Sequence, residues 1–362
     1  MENKNELWEQ IKPFSHLKLK EISKITGISK TTVHRILKEK NLNYKTESEK
    51  LKNLRKYSEH LLQEKNIMKE KINLIDFLNK KNDKPIKIIP QKNTEEEQTA
   101  FVVASDWHIE ENIRPETIHN LNEYNLKIAH KRAENFFVNS AKLIKKQKNV
   151  KNIILALAGD FISGYIHPEL EESNEVSPPK AIYELLQMFR SGLNYWKKEF
   201  KNIPIKIPCV VGNHGRIGLK RKISTAVDNS FEWLFYKILS NDFPEFDFMI
   251  SDGKVQYLEV YGKSVRITHG DQIRGGNGIG GITVPVLRKF AKWDNSIDAD
   301  LNIIGHFHQF SSNFNYVING SMIGYNAFAE EIGASPERPA QAFFLFDKKH
   351  GRTITAPIFL DN

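Results

Sequence analysis

A chain of 362 residues with 40% hydrophobic and 27% charged side chains can bury a large core plus an appendage, which excludes global disorder. Its single cysteine, Cys209, excludes an internal disulfide and a thiolate metal cluster and points to a reducing compartment. The net charge of +9 suits a polyanionic partner and is unevenly placed, because residues 1–98 hold 22 Lys/Arg against 15 Asp/Glu.

In chain order, residues 4–42 predict three short helices, the first with Leu7, Trp8, Ile11 and Phe14 at helical spacing. In LKEISKITGISKTTVHRILKE, residues 19–39, Ile22 and Ile25 read as inward-facing. Gly27 reads as a turn and Ser29 as the N-cap of the next helix, whose buried side is Ile28, Val33, Ile36 and Leu37. This places a small all-α domain at residues 1–43. Residues 44–98 form a charged helical linker, without glycine or proline as far as residue 82. There Leu54, Leu61, Met68, Ile72 and Ile75 recur at coiled-coil spacing, interrupted by Ser58 and Lys65, and the expectation is a weak coiled coil that pairs a homodimer. Two prolines and a charge reversal within 81–99 mark a domain boundary. From residue 99 to 362, short apolar runs alternate with amphipathic stretches at 120–148, 178–202 and 223–240, which predicts an α/β domain with a buried sheet. The polar N-terminus is unlike a secretory signal, and no apolar run approaches the ~20 residues of a membrane helix. The expectation is a cytoplasmic protein with no membrane contact.

Five of the apolar runs end in groups that bind metal ions. FVVAS leads to Asp106 and His108; NIILALAG to Asp160; IPCVV to Asn213 and His214; VRIT to His269; LNIIG to His306 and His308. Any one of these alone is an ordinary turn. Five together, each after a β-like run, argue for one site, because ligands gather at the carboxyl ends of strands in α/β folds. Imidazole, carboxylate and amide donors without thiolate suit Mn2+, Fe, Zn2+ or Ni2+. RGGNGIGG, residues 274–281, matches a dinucleotide fingerprint at Gly276, Gly278 and Gly281. The strand before it already ends in His269, so it reads as a mobile glycine loop beside the site.

The order Asp-x-His, Gly-Asp, Gly-Asn-His, His, Gly-His-x-His, over about residues 100–330, resembles the calcineurin-like metallophosphoesterase superfamily. Within it the chain is similar to SbcD-type DNA nucleases and bacteriophage-encoded members. The resemblance implies a metallophosphoesterase double β-sandwich flanked by helices. It also implies two divalent metal ions, Mn2+ first, with Fe, Zn2+, Ni2+ or Mg2+ as alternatives. Asp106, His108 and His308 would hold one ion and Asn213, His269 and His306 the other. Asp160 would bridge both, and a bridging hydroxide would attack phosphorus. His214 would face the scissile phosphate as the catalytic residue. The chain departs from the family at Gly215-Arg216, where an acidic residue is usual. It departs again at FISGYIHPEL after Asp160, which argues against a phosphoprotein substrate. Arg216 reads as a phosphate clamp or a solvated arginine, and His167 as a substrate contact or a surface histidine.

Residues 19–39 also resemble the helix-turn-helix of bacterial and phage DNA-binding proteins, with Thr26 standing where an apolar residue is usual. That implies Lys30, Thr31, His34 and Arg35 toward DNA, with Lys18, Lys20 and Lys38 near phosphates. The expected activity is a metal-dependent phosphodiesterase, a nuclease, tethered to DNA. The alternatives are a phosphomonoesterase or small-nucleotide hydrolase, and a DNA-binding regulator with a structural or sensory metal domain. Strand polarity and an ATPase partner are not encoded in any recognisable motif.

Overall fold

The computed structural model describes residues 4–15, 17, 19–79, 96–275 and 281–361. Lys18, most of the proline-bearing boundary, and Gly276 and Gly278 of the glycine loop lie outside them. The chain divides into two compact units, residues 1–92 and 93–362.

The first unit has helices α1 (Lys4–Ile11), α2 (Leu19–Thr26) and α3 (Lys30–Asn79). Ile11, Ile22, Val33 and Ile36 are buried together, with Leu7, Trp8, Phe14, Leu17, Ile28 and Leu37 around them. Gly27 takes φ +70° in the turn, and the Ser29 hydroxyl accepts from the Thr32 N–H at 3.2 Å, capping α3. Thr26 turns its hydroxyl onto the Ile22 carbonyl at 2.7 Å, so a polar side chain is satisfied in this position. Ile25 is 53% exposed and does not face inward, because this small head closes over Ile22 alone from α2. α3 does not stop near residue 42. With no glycine or proline to break it, it runs 50 residues, about 75 Å at 1.5 Å per residue.

Among the described residues, the second unit has two sheets. Its strands are β1 (Gln98–Ala104), β2 (Val150–Leu157), β3 (Ile205–Cys209), β4 (Asp247–Ile250), β5 (Val255–Val260), β6 (Lys263–Thr268), β7 (Leu301–Ile304), β8 (Ser311–Asn313), β9 (Tyr316–Ile318), β10 (Ala340–Asp347) and β11 (Gly351–Phe359). One sheet runs β11-β10-β1-β2-β3-β4, with β1 to β4 parallel and the other two antiparallel. The other runs β5-β6-β7-β9-β8, with β6, β7 and β9 parallel. Side-chain alternation explains the layering. Phe101, Val103, Ile154 and Ala156 meet Val265, Ile267, Leu301 and Ile303 of the facing sheet. The alternate residues Ala100, Val102, Ile153 and Leu155 pack outward against helices.

Those helices are α4 (Leu126–Lys145), α5 (Pro168–Ser173), α6 (Pro178–Glu199), α7 (Phe231–Asp242), α8 (Thr283–Asp294) and α9 (Ala327–Glu331). α4, α6 and α7 cover the six-stranded sheet, and Val286 and Phe290 of α8 cover the other. The result is a double β-sandwich flanked by helices. α4 and α7 begin later than hydrophobic spacing alone suggests, because Asn125 and Ser230 supply their N-caps. Among the described residues no helix is long and apolar enough to cross a membrane.

α4 and α6 approach closely at Gly192, where the Phe137 ring fills the place of a side chain. A Cβ there would lie 2.1 Å from Phe137 Cδ2. Gly192→Ala should therefore destabilise the second unit by about 1–3 kcal/mol, read as a lower denaturant midpoint. An unchanged midpoint would show that Phe137 moves aside freely.

Candidate metal centre

Strand register places the site. Ala104 pairs with Leu157, and Leu157 with Cys209, so β1, β2 and β3 end level. Thr268 pairs with Ile304, so β6 and β7 also end level. The residues just beyond these ends form two groups whose ligand atoms lie within 4.8 Å of one another. One is Asp106, His108 and His308; the other is Asp160, His269 and His306. Five of these six have positive φ: Asp106 (56°), His108 (46°), Asp160 (55°), His306 (71°) and His308 (55°). Branched or bulky side chains avoid this region, and residues held there cluster at functional sites.

Neighbouring atoms hold each turn in place. The Asp106 carboxylate accepts from the His306 N–H at 3.0 and 3.1 Å and from the Ser105 hydroxyl. The Asp160 carbonyl accepts from the N–H groups of Trp107 and His108, joining the first two strand ends. Asp160 Oδ1 accepts from the His214 N–H at 2.8 Å. Such approaches leave no room for side chains. A Cβ on Gly212 would lie 2.0 Å from Asp160 Oδ1, and one on Gly305 would lie 2.5 Å from Asp106 Oδ2.

The donor set fits divalent cations. His269 Nδ1 is 2.9 Å from the Ala158 carbonyl, a bond it can only donate. That leaves Nε2 2.8 Å from Asp160 Oδ2, without hydrogen-bond geometry. Two lone-pair atoms facing each other in a dry site call for a cation between or beside them. A proton alone can fill that need only by an unusual shift. Burial opposes charge on His269, but Asp160 and Asp106 outweigh it and push it up to about 10. His108 Nδ1 is likewise tied to Ser163 Oγ at 3.0 Å, and its Nε2 lies 3.3 Å from His308 Nε2. Burial and then the charge of His214 hold His108 well below the usual imidazole range, and burial and then His269 hold His306 down to about 4, so both are neutral donors. Asp160, although buried, is held well below the usual carboxylate range by His269 and His214. The buried Asn213 Oδ1 has no hydrogen-bond donor.

His214 stands beside the first group, its ring centroid 4.8 Å from that of His108. Its Nδ1 is 3.0 Å from the Ser163 carbonyl, so Nε2 is the free nitrogen. The exposed His167 ring is 6.1 Å from His214. Arg216 braces its own loop, donating from Nη1 to the Asn213 carbonyl and from Nε to the Gly218 carbonyl, both at 3.2 Å. It shares a pocket with Asn213, Lys220, Arg221, Lys222 and Lys254. Asp271 accepts from Lys254 at 2.7 Å and Arg221 at 2.8 Å. In the other unit, Lys30, Thr31, His34 and Arg35 are exposed along the start of α3.

Several supporting residues escape the sequence reading. Gln341 is buried and accepts from the Ser105 N–H at 2.9 Å and Trp107 Nε1 at 3.1 Å. Asn319 donates to Ser105 Oγ at 2.8 Å, completing a chain to Asp106. Glu232 accepts from the Phe161 and Gly212 N–H groups, both at 2.7 Å, clamping the loops that carry Asp160 and Asn213. Burial and then the Asp160 charge push its carboxyl up to about 8. Glu232 falls inside the amphipathic stretch 223–240, and no local pattern marked any of these three residues.

No protein-family model and no curated protein matches this chain. Among solved structures, an uncharacterized Streptococcus pneumoniae TIGR4 protein described as a predicted phosphoesterase is similar at 11% identity, over 72% of this chain and 97% of that one, with a TM-score of 0.25. Vps29 of Entamoeba histolytica complexed with Zn2+ is similar at 11% identity, over 72% and 99%, with a TM-score of 0.28. A 5'-nucleotidase described as putative, from Staphylococcus aureus, is similar at 13% identity, over 73% and 55%, with a TM-score of 0.30.

Glu232→Ala leaves two buried backbone donors unpaired, at about 1–3 kcal/mol each. Thermal unfolding should begin earlier, and the metal bound per chain should fall. If both stay at the wild-type level, the clamp is dispensable.

Proposed function

We propose that the chain is a metal-dependent phosphoesterase of the calcineurin-like superfamily, and more narrowly a phosphodiesterase acting on nucleic acid, DNA first. The reading is carried by the meeting of five strand ends in one site, where two carboxylate–imidazole groups stand beside His214. Divalent cations held by Asp106, His108 and His308, and by Asn213, His269 and His306, with Asp160 serving both, would polarise a phosphate ester and acidify a water. The side chains supply the remainder. Ser105, Ser163 and the Ala158 carbonyl fix which atoms of Asp106, His108 and His269 face inward. Ser163 also fixes the ring of His214, leaving Nε2 to take a proton from solvent and hand it to the leaving oxygen.

Substrate class is inferred from charge beside the site. Arg216, Lys220, Arg221, Lys222 and Lys254 share a pocket with Asn213, and Asp271 is the carboxylate that the structure pairs with two of them. The surplus of positive charge suits a strand with further phosphates on either side of the scissile one. The exposed Lys30, Thr31, His34 and Arg35 suit a second contact with duplex through its major groove.

Metal analysis of the purified chain, with turnover of bis-p-nitrophenyl phosphate in Mn2+, tests the chemistry. Asp160→Asn should lose bound metal. His214→Ala should keep its metal and lose ~10²–10⁴ in rate. Full activity in His214→Ala would remove that residue from the reaction.

A second comparison tests the substrate. Lys220→Ala/Arg221→Ala/Lys222→Ala should raise KM for single-stranded DNA far more than for bis-p-nitrophenyl phosphate. It should also flatten the dependence on salt. Equal effects on both substrates would reject a polynucleotide and leave the phosphoesterase reading intact. In the same series, Arg35→Ala should weaken duplex binding without changing either KM, and unaltered binding would reject the N-terminal contact.

A further inference from the structure

The long helix α3 carries apolar side chains that no described residue of its own unit covers. Leu51, Leu54, Leu61, Met68, Ile72 and Ile75 are each between 46% and 63% exposed. They fall on two positions of a seven-residue repeat. Leu54, Leu61, Met68 and Ile75 occupy one, spaced by seven, and Leu51, Ser58, Lys65 and Ile72 occupy the other, three residues earlier. This is the a/d seam of a coiled coil, with every d position apolar over four heptads. Ile67, Leu74 and Phe77 lie off the seam and take no part in the pairing.

We infer that the occupant of this seam is α3 of a second copy of the chain, parallel and in register. The flanking charges select that arrangement. In a parallel pair each g residue faces the e residue five positions on in the other strand. That sets Tyr57 against Leu62, Glu64 against Lys69, and Lys71 against Asp76, an apolar contact and two opposite-charge pairs. An antiparallel pair of the same overlap would set Glu64 against Glu64 and Arg55 against Lys69, which repel. The apolar seam begins at Leu51. Ser58 and Lys65 at a positions meet their own counterparts, a cost in stability that fixes two strands and one register.

The pairing has a consequence for the N-terminal heads. Both lie at the same end of the coil, so two sets of Lys30, Thr31, His34 and Arg35 are presented together, as two half-sites on one duplex require. This last step rests on the DNA reading above; the dimer does not.

Sedimentation equilibrium of the full chain at micromolar concentration tests the pairing. Wild type should show twice the chain mass, and Leu61→Glu/Met68→Glu, at positions exposed in the single chain, should be monomeric. Glu64→Lys should weaken the dimer several-fold, and Glu64→Lys/Lys69→Glu should restore it. Lys65→Ile should tighten it. Under oxidation, Ser58→Cys should cross-link to itself, because a positions meet across the seam, whereas Gln63→Cys on the outer face should not. A monomeric wild type, or a dimer indifferent to Leu61→Glu/Met68→Glu, would overturn the inference. Failure of the charge swap to recover, or of Ser58→Cys to cross-link, would overturn the parallel register. A dimer that leaves duplex affinity the same as in the monomeric variant would overturn only the joint reading of two half-sites.

Discussion

Two carboxylates sealed from water, Asp106 and Asp160, set the terms for the rest of the second unit. An ionised carboxylate is expensive to bury unless opposite charge or donors meet it. Backbone N–H groups of His306 and His214 meet part of that need. The rest falls to imidazoles whose far nitrogens are already committed, His108 to Ser163 and His269 to Ala158. What remains is inward-facing lone pairs on both sides, an arrangement that is stable only around positive charge. The five left-handed backbones at these positions cost about 1–3 kcal/mol each, and they persist because the surroundings leave no alternative.

Those surroundings alternate with the ligands along the chain. Trp107 lies between Asp106 and His108 and is fully buried, its ring 5.4 Å from Phe136, 5.4 Å from Phe161 and 4.8 Å from Phe189. Phe161 follows Asp160 and joins the same aromatic cluster. A ligand-bearing turn can therefore relax only by dragging a large ring out of the core. Gln341, Asn319 and Glu232 complete the support with hydrogen bonds to the backbone and to Ser105. The basic loop from Arg216 to Lys222 is bound to the site through Asn213 and Asp271, so positive charge lies beside the candidate ligands.

Much of this was legible because the chemistry sits at strand ends. An apolar β-run followed by a ligand-type residue is a local pattern, and five of them stand out in one chain. The alternation of runs and amphipathic stretches also indicated α/β layering, but not that the strands divide between two sheets, since both sheets bury the same residue types. The supporting polar groups left no pattern. Gln341 serves Ser105 from 236 positions away. Asn319 follows a short apolar run with nothing local to mark it, yet it is buried with its amide on Ser105. Asp271 stands two positions from His269, but the ring turns to Ala158 and the carboxylate to lysine and arginine.

The sequence by itself determined which residues bear donors, where the helices of the N-terminal head begin, and the spacing of the seam along α3. These follow from periodicity and side-chain type, which need only neighbours along the chain. Tertiary structure alone decided which donors share a site, which nitrogen of each ring faces inward, and that Ile25 stays exposed while Ile22 is buried. Those outcomes depend on strand register and on which surfaces close first over a limited core, and neither is a property of any single segment.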